Sequence, residues 1–369
     1  MPAKDKLTVT TDITVAVREV DFVTRFGKNW DALMQILGIM RPIRKAPGTK
    51  LTSYNATMKS SALQGGASVG EGEEIPYTEF QVSPVTYADI TLEKYAKAVS
   101  IEAVAKYGAA IAVQRTDEAF LNELQSKVLT SFYTFLNTGS LIDSAATFQA
   151  ALAKAKGKVL EKFASMRRTV TDVVGFANIN DFYNYLGSAP ITVQTAFGMT
   201  YIQNFMGYST LFLCPDVDIA SGKVIALPVE NIDLYYIDPS DSDFAQLGLN
   251  YTVEGQTNLI GFHANGDYAH AVGESFALMG MTLWAEYLDG IAVVYVGTAT
   301  KVTNAETVTA ESDGKTYNFA HSPVISVEEV KDGSTAVTTG YHMTSTGIVF
   351  DTAPQGTVTV KYTYVAQSA

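Results

Sequence analysis

Residues 61–80 read SALQGGASVGEGEEIPYTEF and combine glycines with glutamates in one long stretch. The glycines do not have the GxxxxGK[ST] spacing of a phosphate-binding loop, and no lysine follows them. The four glutamates in it would repel a phosphate, and the stretch lacks the alternating aspartates of a calcium loop. We therefore interpret it as a flexible acidic loop between a basic segment and a strand.

The composition of the whole chain limits its class. It has 369 residues, of which 47% are hydrophobic, and this length fits two or three domains. Charged residues are only 17%, against about 25% in an average soluble domain. Such a low fraction of charged residues is typical of a protein that buries much of its surface against other subunits. It also fits a well-packed monomer whose surface is polar but uncharged.

Cysteine content and apolar runs indicate the compartment. The single Cys214 excludes an intrachain disulfide framework. Residues 1–11 are polar and charged, unlike a signal peptide, and the longest apolar run, 276–285, is too short to span a membrane. We expect a soluble protein made in a cytoplasm, without a membrane partner.

The negative charge is unevenly placed. Residues 1–50 contain nine basic and five acidic residues, which gives them a net charge of +4. Because the whole chain has a net charge of −12, residues 51–369 have a net charge of −16. Protein binding to nucleic acid phosphates is driven by basic contacts. An acidic chain of this kind is not expected to bind DNA tightly.

Apolar spacing and turn residues predict the order of secondary structure. Before residue 137 the predicted elements are a helix over 30–37, a strand over 78–92, a helix over 100–107 and a long helix over about 109–136 that restarts at 116–118. Further along they are a helix over 145–164, a strand over 169–177, a helix over 182–186 capped by Asn180 and Asp181, strands over 209–214, 223–227 and 232–237, and a hairpin over 283–296 that turns at Asp289-Gly290.

Beyond Gly297 the composition changes to Thr, Val, Gly, Ser and Tyr, and no helical period is present. Turn signals at Asp313-Gly314, Asp332-Gly333 and Gln355-Gly356 separate short strands. The last run, 357–365, alternates apolar and polar residues as a half-buried strand does. We predict a small all-β sandwich here.

Catalytic and ligand-binding signatures are missing. Residues 238–243, DPSDSD, resemble a cation loop, but we interpret them as a solvated turn. The sequence has no HExxH and no Cys/His cluster. GASVG (66–70) has the GxSxG spacing, but it lies in the glycine- and glutamate-rich loop and not at the strand-to-helix turn that this motif needs. The four histidines, which we assign structural roles, are His263, His270, His321 and His342. We therefore predict no enzyme activity, no metal and no cofactor.

Several stretches resemble one known family when taken in order. GEGEEIPYTEF (70–80) resembles the descending limb of its extended loop, and EKYAKAVSIEAVAKYG (93–108) with AVQRTDEAFLNELQSKV (112–128) resembles the start of its spine helix. GYSTLFLCPDV (207–217) and ALPVENIDLYYID (226–238) resemble strands of its axial domain. The family is the major capsid protein of tailed bacteriophages, with the Hong Kong phage type of fold.

The resemblance implies an α+β fold with the order of parts of that family, closed by an immunoglobulin-like β-sandwich. The implied parts are an N-terminal arm (1–50), an extended loop (51–84), a peripheral domain with the spine helix (85–143), an axial domain (144–247), a return to the peripheral domain (248–296) and a C-terminal module (297–369) on the outer surface.

The resemblance also implies a function and partners. Subunits would assemble into hexamers and pentamers of an icosahedral virion capsid in the host cytoplasm, with portal, scaffold or decoration proteins as partners. The capsid would enclose double-stranded DNA without binding it tightly. Loop glutamates would pair with the basic cluster of a neighbouring subunit, and the candidate interface residues are Arg41, Arg44, Lys45, Glu71, Glu73, Glu74 and Glu79.

Two other functions remain open. The first is an encapsulin-like nanocompartment shell, which shares the fold but usually has a shorter chain and no β-rich appendage. The second is a surface-adhesion protein with an immunoglobulin-like tail, which would need a secretion signal. Electron microscopy of the purified protein would separate shells that contain DNA from shells that contain a protein cargo.

Overall fold

A computed structural model of the chain describes residues 40–49, 51–59, 69–70, 74–86, 90–170, 172–187, 191–196, 199–229, 231–253, 258–285, 290–302 and 304–366. It is a mixed α+β fold with more strand than helix. The predicted helix over 30–37 lies outside these residues.

The elements are numbered along the chain. The strands are β1 (Met40–Lys45), β2 (Thr52–Met58), β3 (Phe80–Thr86), β4 (Leu92–Ser100), β5 (Leu141–Ala145), β6 (Val173–Asn178), β7 (Gln194–Ala196), β8 (Met199–Phe205), β9 (Tyr208–Cys214), β10 (Lys223–Pro228), β11 (Ile232–Ile237), β12 (Ile260–Asp267), β13 (Val272–Ala285), β14 (Ala292–Val296), β15 (Thr298–Lys301), β16 (Glu306–Val308), β17 (Thr316–Asn318), β18 (Val324–Asp332), β19 (Thr335–Ala336), β20 (Tyr341–Met343), β21 (Gly347–Phe350) and β22 (Val358–Ala366). The helices are α1 (Ile101–Tyr107), α2 (Arg115–Leu136), α3 (Phe148–Ser165), α4 (Ile179–Leu186) and the single turn α5 (Ser242–Ala245), and a π-helical segment (Ala110–Gln114) precedes α2.

The chain divides into two compact units. The described residues of the first lie within 43–100 and 235–282. Its central strand is β13, which pairs antiparallel with β12 on one edge and with β4 on the other. The sheet continues through β11 to β1. The predicted strand over 78–92 is too long, because β3 ends at Thr86 and the next strand, β4, begins at Leu92.

The described residues of the second unit lie within 40–42, 101–234 and 283–366. Its seven-stranded sheet has the order β5-β14-β10-β6-β9-β8-β7. Every residue of the central strand β6 is buried, as expected for a strand covered on both faces. Helix α3 packs on the sheet through a stripe that includes Leu152, Ala155 and Val159, the spacing of a single helix face.

Helix α2 confirms the long predicted helix and its restart. It begins at Arg115, and its first turn contains Asp117 and Glu118, where carboxylates favour the helix dipole. Its 22 residues span about 33 Å at 1.5 Å per residue. It ends at Asn137, whose backbone N–H and side-chain amide both donate to the Tyr133 carbonyl.

Two predicted helix starts are wrong. Helix α3 begins at Phe148 and not at residue 145, because the Thr147 hydroxyl accepts from the Ala150 N–H and so caps the helix there. The residues just before it form strand β5. Helix α4 is capped by Asn178, whose side-chain oxygen accepts from the N–H groups of Asn180 and Asp181.

The hairpin predicted over 283–296 is also wrong. Residues 283–285 end β13, whereas β14 lies between β10 and β5 in the seven-stranded sheet. The proposed turn residue Asp289 lies outside the described residues. Most of β14 is buried, and a continuous apolar run carries no alternation that identifies its partner strand.

The C-terminal module (residues 297–369) is all-β in its described part, as predicted. One sheet has the order β15-β22-β18-β19, with β16 also on β22, and a second has the order β17-β21-β20. The two sheets share one core, to which Val330, Ile348 and Tyr362 contribute. The predicted last strand is β22, which alternates buried and half-buried residues.

The module is joined to the seven-stranded sheet without a linker. Only Gly297 separates β14 from β15, and its N–H donates to the Ala145 carbonyl at 2.8 Å. Its φ is +151°, and a Cβ at this position would lie 2.5 Å from a Val365 methyl carbon. Strands β15 and β18 of the module also lie against β5 of that sheet. These contacts hold β15 against the end of β5 and β14.

Candidate assembly surfaces

The ribbon formed by β2 and β3 is the first candidate surface. The strands pair antiparallel in continuous register, from Thr52 opposite Thr86 to Met58 opposite Phe80. Among the described strands, neither pairs with a third one. A two-stranded ribbon alone is at best marginally stable in water. The ribbon therefore requires contacts beyond its own backbone hydrogen bonds.

Large apolar side chains are exposed on β3 and in the segment just before it, which leads into the ribbon. Their exposed fractions are 68% for Ile75, 92% for Tyr77, 56% for Phe80 and 59% for Val82. We call these four residues the apolar row. Single exposed apolar residues are normal on protein surfaces, but clusters of them mark interaction sites.

Sequence reasoning missed the apolar row because it considered mainly the glycines and glutamates of this loop. The signal was in IPYTEFQV (75–82), where four of eight residues are large and apolar. That density is high for a loop in contact only with water.

The loop glutamates predicted to form ion pairs have different surroundings. Glu71 and Glu73 lie outside the described residues, and Glu74 is exposed. Glu79 forms an ion pair with Lys59 on the opposite limb of the ribbon. Both of these side chains are largely exposed, and exposed pairs contribute about 0–1 kcal/mol.

The three predicted basic interface residues, Arg41, Arg44 and Lys45, lie on strand β1 and have partners within their own chain. The Arg41 Nε donates to an Asp233 carboxylate oxygen at 2.8 Å. The Lys45 ammonium lies 4.8 Å from the centre of the Tyr235 ring, a cation–π distance. Pairing of these residues with a neighbour's glutamates remains a prediction.

Arg44 leads to a correction about the acidic loop 238–243. Its guanidinium lies 3.1 Å from Asp238 and 3.3 Å from Asp241. The Asp238 carboxylate is only 1% exposed, and it also accepts hydrogen bonds from Ser240 and Asn258. The loop is therefore a solvated turn only in part: Ser240, Ser242 and Asp243 are exposed, whereas Asp238 is buried and its oxygens are occupied.

Asp238 is stabilised in its charged form. Burial alone would raise its pKa, but the hydrogen bonds from Ser240 and Asn258 and the charge of Arg44 outweigh burial and lower the pKa. A carboxyl whose pKa is lower in the folded state stabilises the fold above its unfolded pKa, and this contribution is lost as the pH falls through the folded pKa.

We expect Asp238→Asn to lower the free energy of unfolding at neutral pH by about 1–3 kcal/mol, since a buried charged hydrogen bond is lost. Chemical denaturation measures this change. Below about pH 4, the ordinary pKa of aspartate, the difference between the variant and the wild type should shrink. Asp243→Asn, an exposed change in the same loop, is the matched control. A pH-independent difference would contradict this role of Asp238.

Two of the histidines and the cysteine have neighbours that define their surroundings. Within the described ranges, no group of three or more His, Cys, Asp or Glu side chains could hold a metal ion. His270 pairs with Asp267, and His321 stacks on the Tyr364 ring. Burial raises the pKa of the Cys214 thiol to about 12, so it stays protonated at neutral pH.

A separate surface lies on the second unit. Helix α1 has no buried residue, and the π-helical segment follows it closely in the chain. Ile101, Tyr107 and Ile111 are 61%, 55% and 59% exposed. A helix normally buries one apolar stripe against its own domain, so the outer side of this segment is available to another molecule.

None of the helices in the described part of the chain is long and apolar enough to cross a membrane.

Comparison with known proteins gave matches among solved structures only. No protein-family model matches the chain, and no curated protein matches it. The capsid asymmetric unit of cyanophage A-1(L) aligns at 13% identity over 72% of this chain and 92% of that one, with a TM-score of 0.46. A structure from Mycobacterium phage Patience aligns at 11% identity over 80% of this chain and 94% of that one, with a TM-score of 0.45.

An encapsulin complex from Synechococcus elongatus also aligns, at 13% identity over 72% of this chain and 86% of that one, with a TM-score of 0.43. The chain is thus similar to both phage capsid proteins and an encapsulin. Because these identities and TM-scores are low, we base the function proposed below on the chain's own surfaces.

Proposed function

We propose that the protein is a structural shell subunit, the major capsid protein of a tailed bacteriophage, which assembles into hexamers and pentamers of an icosahedral capsid enclosing double-stranded DNA. The observation that carries this proposal is the ribbon, because it pairs with no third strand among those described and exposes the apolar row. Such a ribbon gains stability when it lies on another copy of the chain.

Energetics favour apolar contact over ion pairing as the source of this stability. Fully burying a large apolar side chain contributes about 1.5–3 kcal/mol, so the apolar row alone could contribute several kcal/mol for each ribbon. Surface ion pairs contribute about 0–1 kcal/mol each. Pairs between Arg41, Arg44 or Lys45 and a neighbour's Glu79 would also replace partners that these residues already have.

The geometry of a ring explains why two different surfaces are exposed. A ring of identical subunits needs head-to-tail contacts, in which one surface of a subunit meets a different surface of the next. The apolar row and the outer side of α1 are two such surfaces on one chain. We propose that the ribbon of one subunit covers the α1 segment of its neighbour.

The remaining parts of the proposal follow the order of the chain. Residues 1–50 act as an arm, 51–84 as the extended loop, 85–143 and 248–296 as the peripheral domain, 144–247 as the axial domain, and 297–369 as an immunoglobulin-like sandwich on the outer surface. Portal, scaffold or decoration proteins are the further partners. The protein acts in the virion capsid and has no enzymatic role.

Removal of the C-terminal module tests its outer position. Truncation after Val296 should give shells of unchanged diameter that lack surface protrusions, because the module has a core of its own. The measurement is electron microscopy of shells from the truncated and full chains. A truncated subunit that is folded and soluble but does not assemble would show instead that the module belongs to the lattice.

The charge of the chain predicts weak DNA binding. With 38 acidic and 26 basic residues, the purified protein should bind duplex DNA with a Kd weaker than about 1 µM at physiological salt. Fluorescence anisotropy with a labelled duplex, repeated at several salt concentrations, measures this affinity. Sub-micromolar binding at physiological salt would contradict a capsid wall that only encloses its DNA.

The contents of the assembled particles test the function itself. Particles purified from cells that produce the complete virion should contain double-stranded DNA that is resistant to nuclease until the shell is opened. A nuclease-sensitive particle, or one filled with a single protein species, would contradict the capsid proposal. The second outcome would favour an encapsulin-like compartment.

A further inference from the structure

Two turns next to helix α3 contain non-glycine residues in the left-handed backbone region. At the end of α3, Arg167 has a φ of +55° and follows the cap residue Met166, where glycine is the usual residue. In the β8–β9 turn, Met206 has a φ of +49° and precedes Gly207, at a position that favours asparagine or glycine. The backbone conformation therefore does not account for the arginine or the methionine.

The β8–β9 turn lies beside α3. The Lys156 ammonium donates a hydrogen bond to the Gly207 carbonyl, and Leu160 follows Lys156 by four residues on the same side of the helix. Leu160 is 41% exposed and Met206 is 36% exposed. We call Lys156, Leu160, Arg167 and Met206 the α3 face. It presents two apolar side chains to solvent together with the exposed Arg167.

The α3 face lies in a basic part of an acidic chain. Residues 154–168 contain six Lys or Arg and one Glu, a net charge of +5. Because the whole chain has a net charge of −12, the rest of it has a net charge of −17. Asp143 pairs with Lys154 and Lys158, at 2.7 and 3.2 Å, whereas Arg167 is exposed. A partner of this face therefore needs negative charge together with apolar side chains.

The same chain has such a surface in the loop after β11. Residues 224–300 contain ten Asp or Glu and no Lys or Arg. Within this segment, Leu247 and Leu249 are 74% and 50% exposed, and Asp243 is exposed in the single turn α5. We call residues 242–249 the leucine loop. It combines exposed apolar side chains with negative charge.

The leucine loop is held in place by hydrogen bonds of its own. The Asp241 carboxylate accepts the Asp243 N–H at 3.2 Å and so caps α5. The Gly248 N–H donates to the Ala245 carbonyl at 2.9 Å. Arg44 on strand β1 pairs with Asp241. Because these contacts already fix the backbone, docking of the loop on a partner loses little conformational entropy.

We propose that the leucine loop of one copy docks on the α3 face of a second copy. Leu247 packs against Leu160 and Met206, and Asp243 lies beside Arg167. The two surfaces are complementary because both are apolar in part and their charges are opposite. DNA would match the positive charge of the α3 face but not its apolar side chains. Because the two surfaces differ, the contact is of the head-to-tail kind that rings require, and it rests on the proposed shell function.

Exchange of the two charges tests the pairing. Arg167→Glu and Asp243→Arg should each raise the protein concentration needed for assembly by at least about tenfold, because like charges then face each other. The double variant, which restores opposite charges, should recover most of the lost assembly. Sedimentation velocity over a concentration series measures these effects, and circular dichroism checks folding. Asp351→Arg, an exposed charge reversal in the C-terminal module, is the matched control and should assemble normally.

Two further variants test the apolar part of the contact. Leu247→Ser and Met206→Asn should each weaken assembly, because each removes an apolar side chain from the contact. Asparagine suits the left-handed backbone of this turn. Met206→Asn should therefore keep the denaturation midpoint of the subunit at or above that of the wild type. A purely structural role of Met206 would instead lower the midpoint.

The outcomes separate this contact from the shell function. A wild type that stays monomeric would overturn both proposals. Unimpaired assembly of the folded single charge variants, or no recovery in the double variant, would overturn this contact alone when the wild type forms shells. Weaker duplex DNA binding by Arg167→Glu with unchanged assembly would assign the α3 face to nucleic acid and would also overturn the contact.

Discussion

Replacement of Ile75 and Tyr77 by serine should abolish shell assembly and leave the subunit folded. Both side chains are exposed, Tyr77 almost completely, so the change removes no core contact. It removes half of the apolar row that we propose to lie on the next subunit. Because each subunit in a ring contributes the same contact, the loss is repeated at every interface of the shell.

Sedimentation velocity of the double variant measures this effect, and circular dichroism reports whether the subunit is folded. Gln81→Ser is the matched control, since Gln81 is an exposed polar residue on the same ribbon and its change should leave assembly intact. Shells formed by the double variant at wild-type yield would show that the apolar row is not an assembly contact.

Phe176→Ala should cost about 3–5 kcal/mol of the free energy of unfolding, the usual range for a fully buried aromatic residue. Phe176 is inaccessible to solvent and lies in the central strand β6. Its ring centre is 5.6 Å from that of Phe132 on helix α2 and 5.0 Å from that of Phe212 on β9. The substitution therefore leaves a cavity where the long helix packs on the sheet.

Chemical denaturation of the soluble subunit measures the loss, with Tyr183→Ala as the control. Tyr183 is an aromatic residue of helix α4 that is 45% exposed, and its removal should cost far less. A loss below about 1 kcal/mol for Phe176→Ala would be typical of a surface change and would contradict this packing.

The sequence predicted the parts of the fold that depend on local patterns. Helix α2 was predictable because Leu121, Leu124 and Val128 recur at helical spacing and are all buried. The strands of the C-terminal module were predictable from their alternation and turns. The partner of β14 was not, because a strand buried on most of its length has no pattern that distinguishes one neighbour from another.

The caps show a second limit of sequence reasoning. Asn178, Asn180 and Asp181 are all suitable N-cap residues, and only the backbone geometry selects Asn178. Asp181, chosen from the sequence, instead accepts hydrogen bonds from Ser221 and Gly222, which lie about forty positions later in the chain. A contact between residues so far apart in the chain cannot be detected from the local spacing of residue types.

The candidate surfaces were predictable only in part. The sequence indicated that the loop and the basic cluster were important, but it could not show that Arg44 reaches Asp238, which lies far along the chain. Nor did composition reveal that α1 buries no residue. Exposure depends on which elements pack together, and local spacing does not show this.

Cryo-electron microscopy of the purified full-length chain tests the central claim most directly. We expect closed shells built of hexamers and pentamers, in which the apolar row at Ile75, Tyr77, Phe80 and Val82 of each subunit is buried against a second copy. A protein that stays monomeric at high concentration, or shells in which these four side chains face solvent, would contradict it.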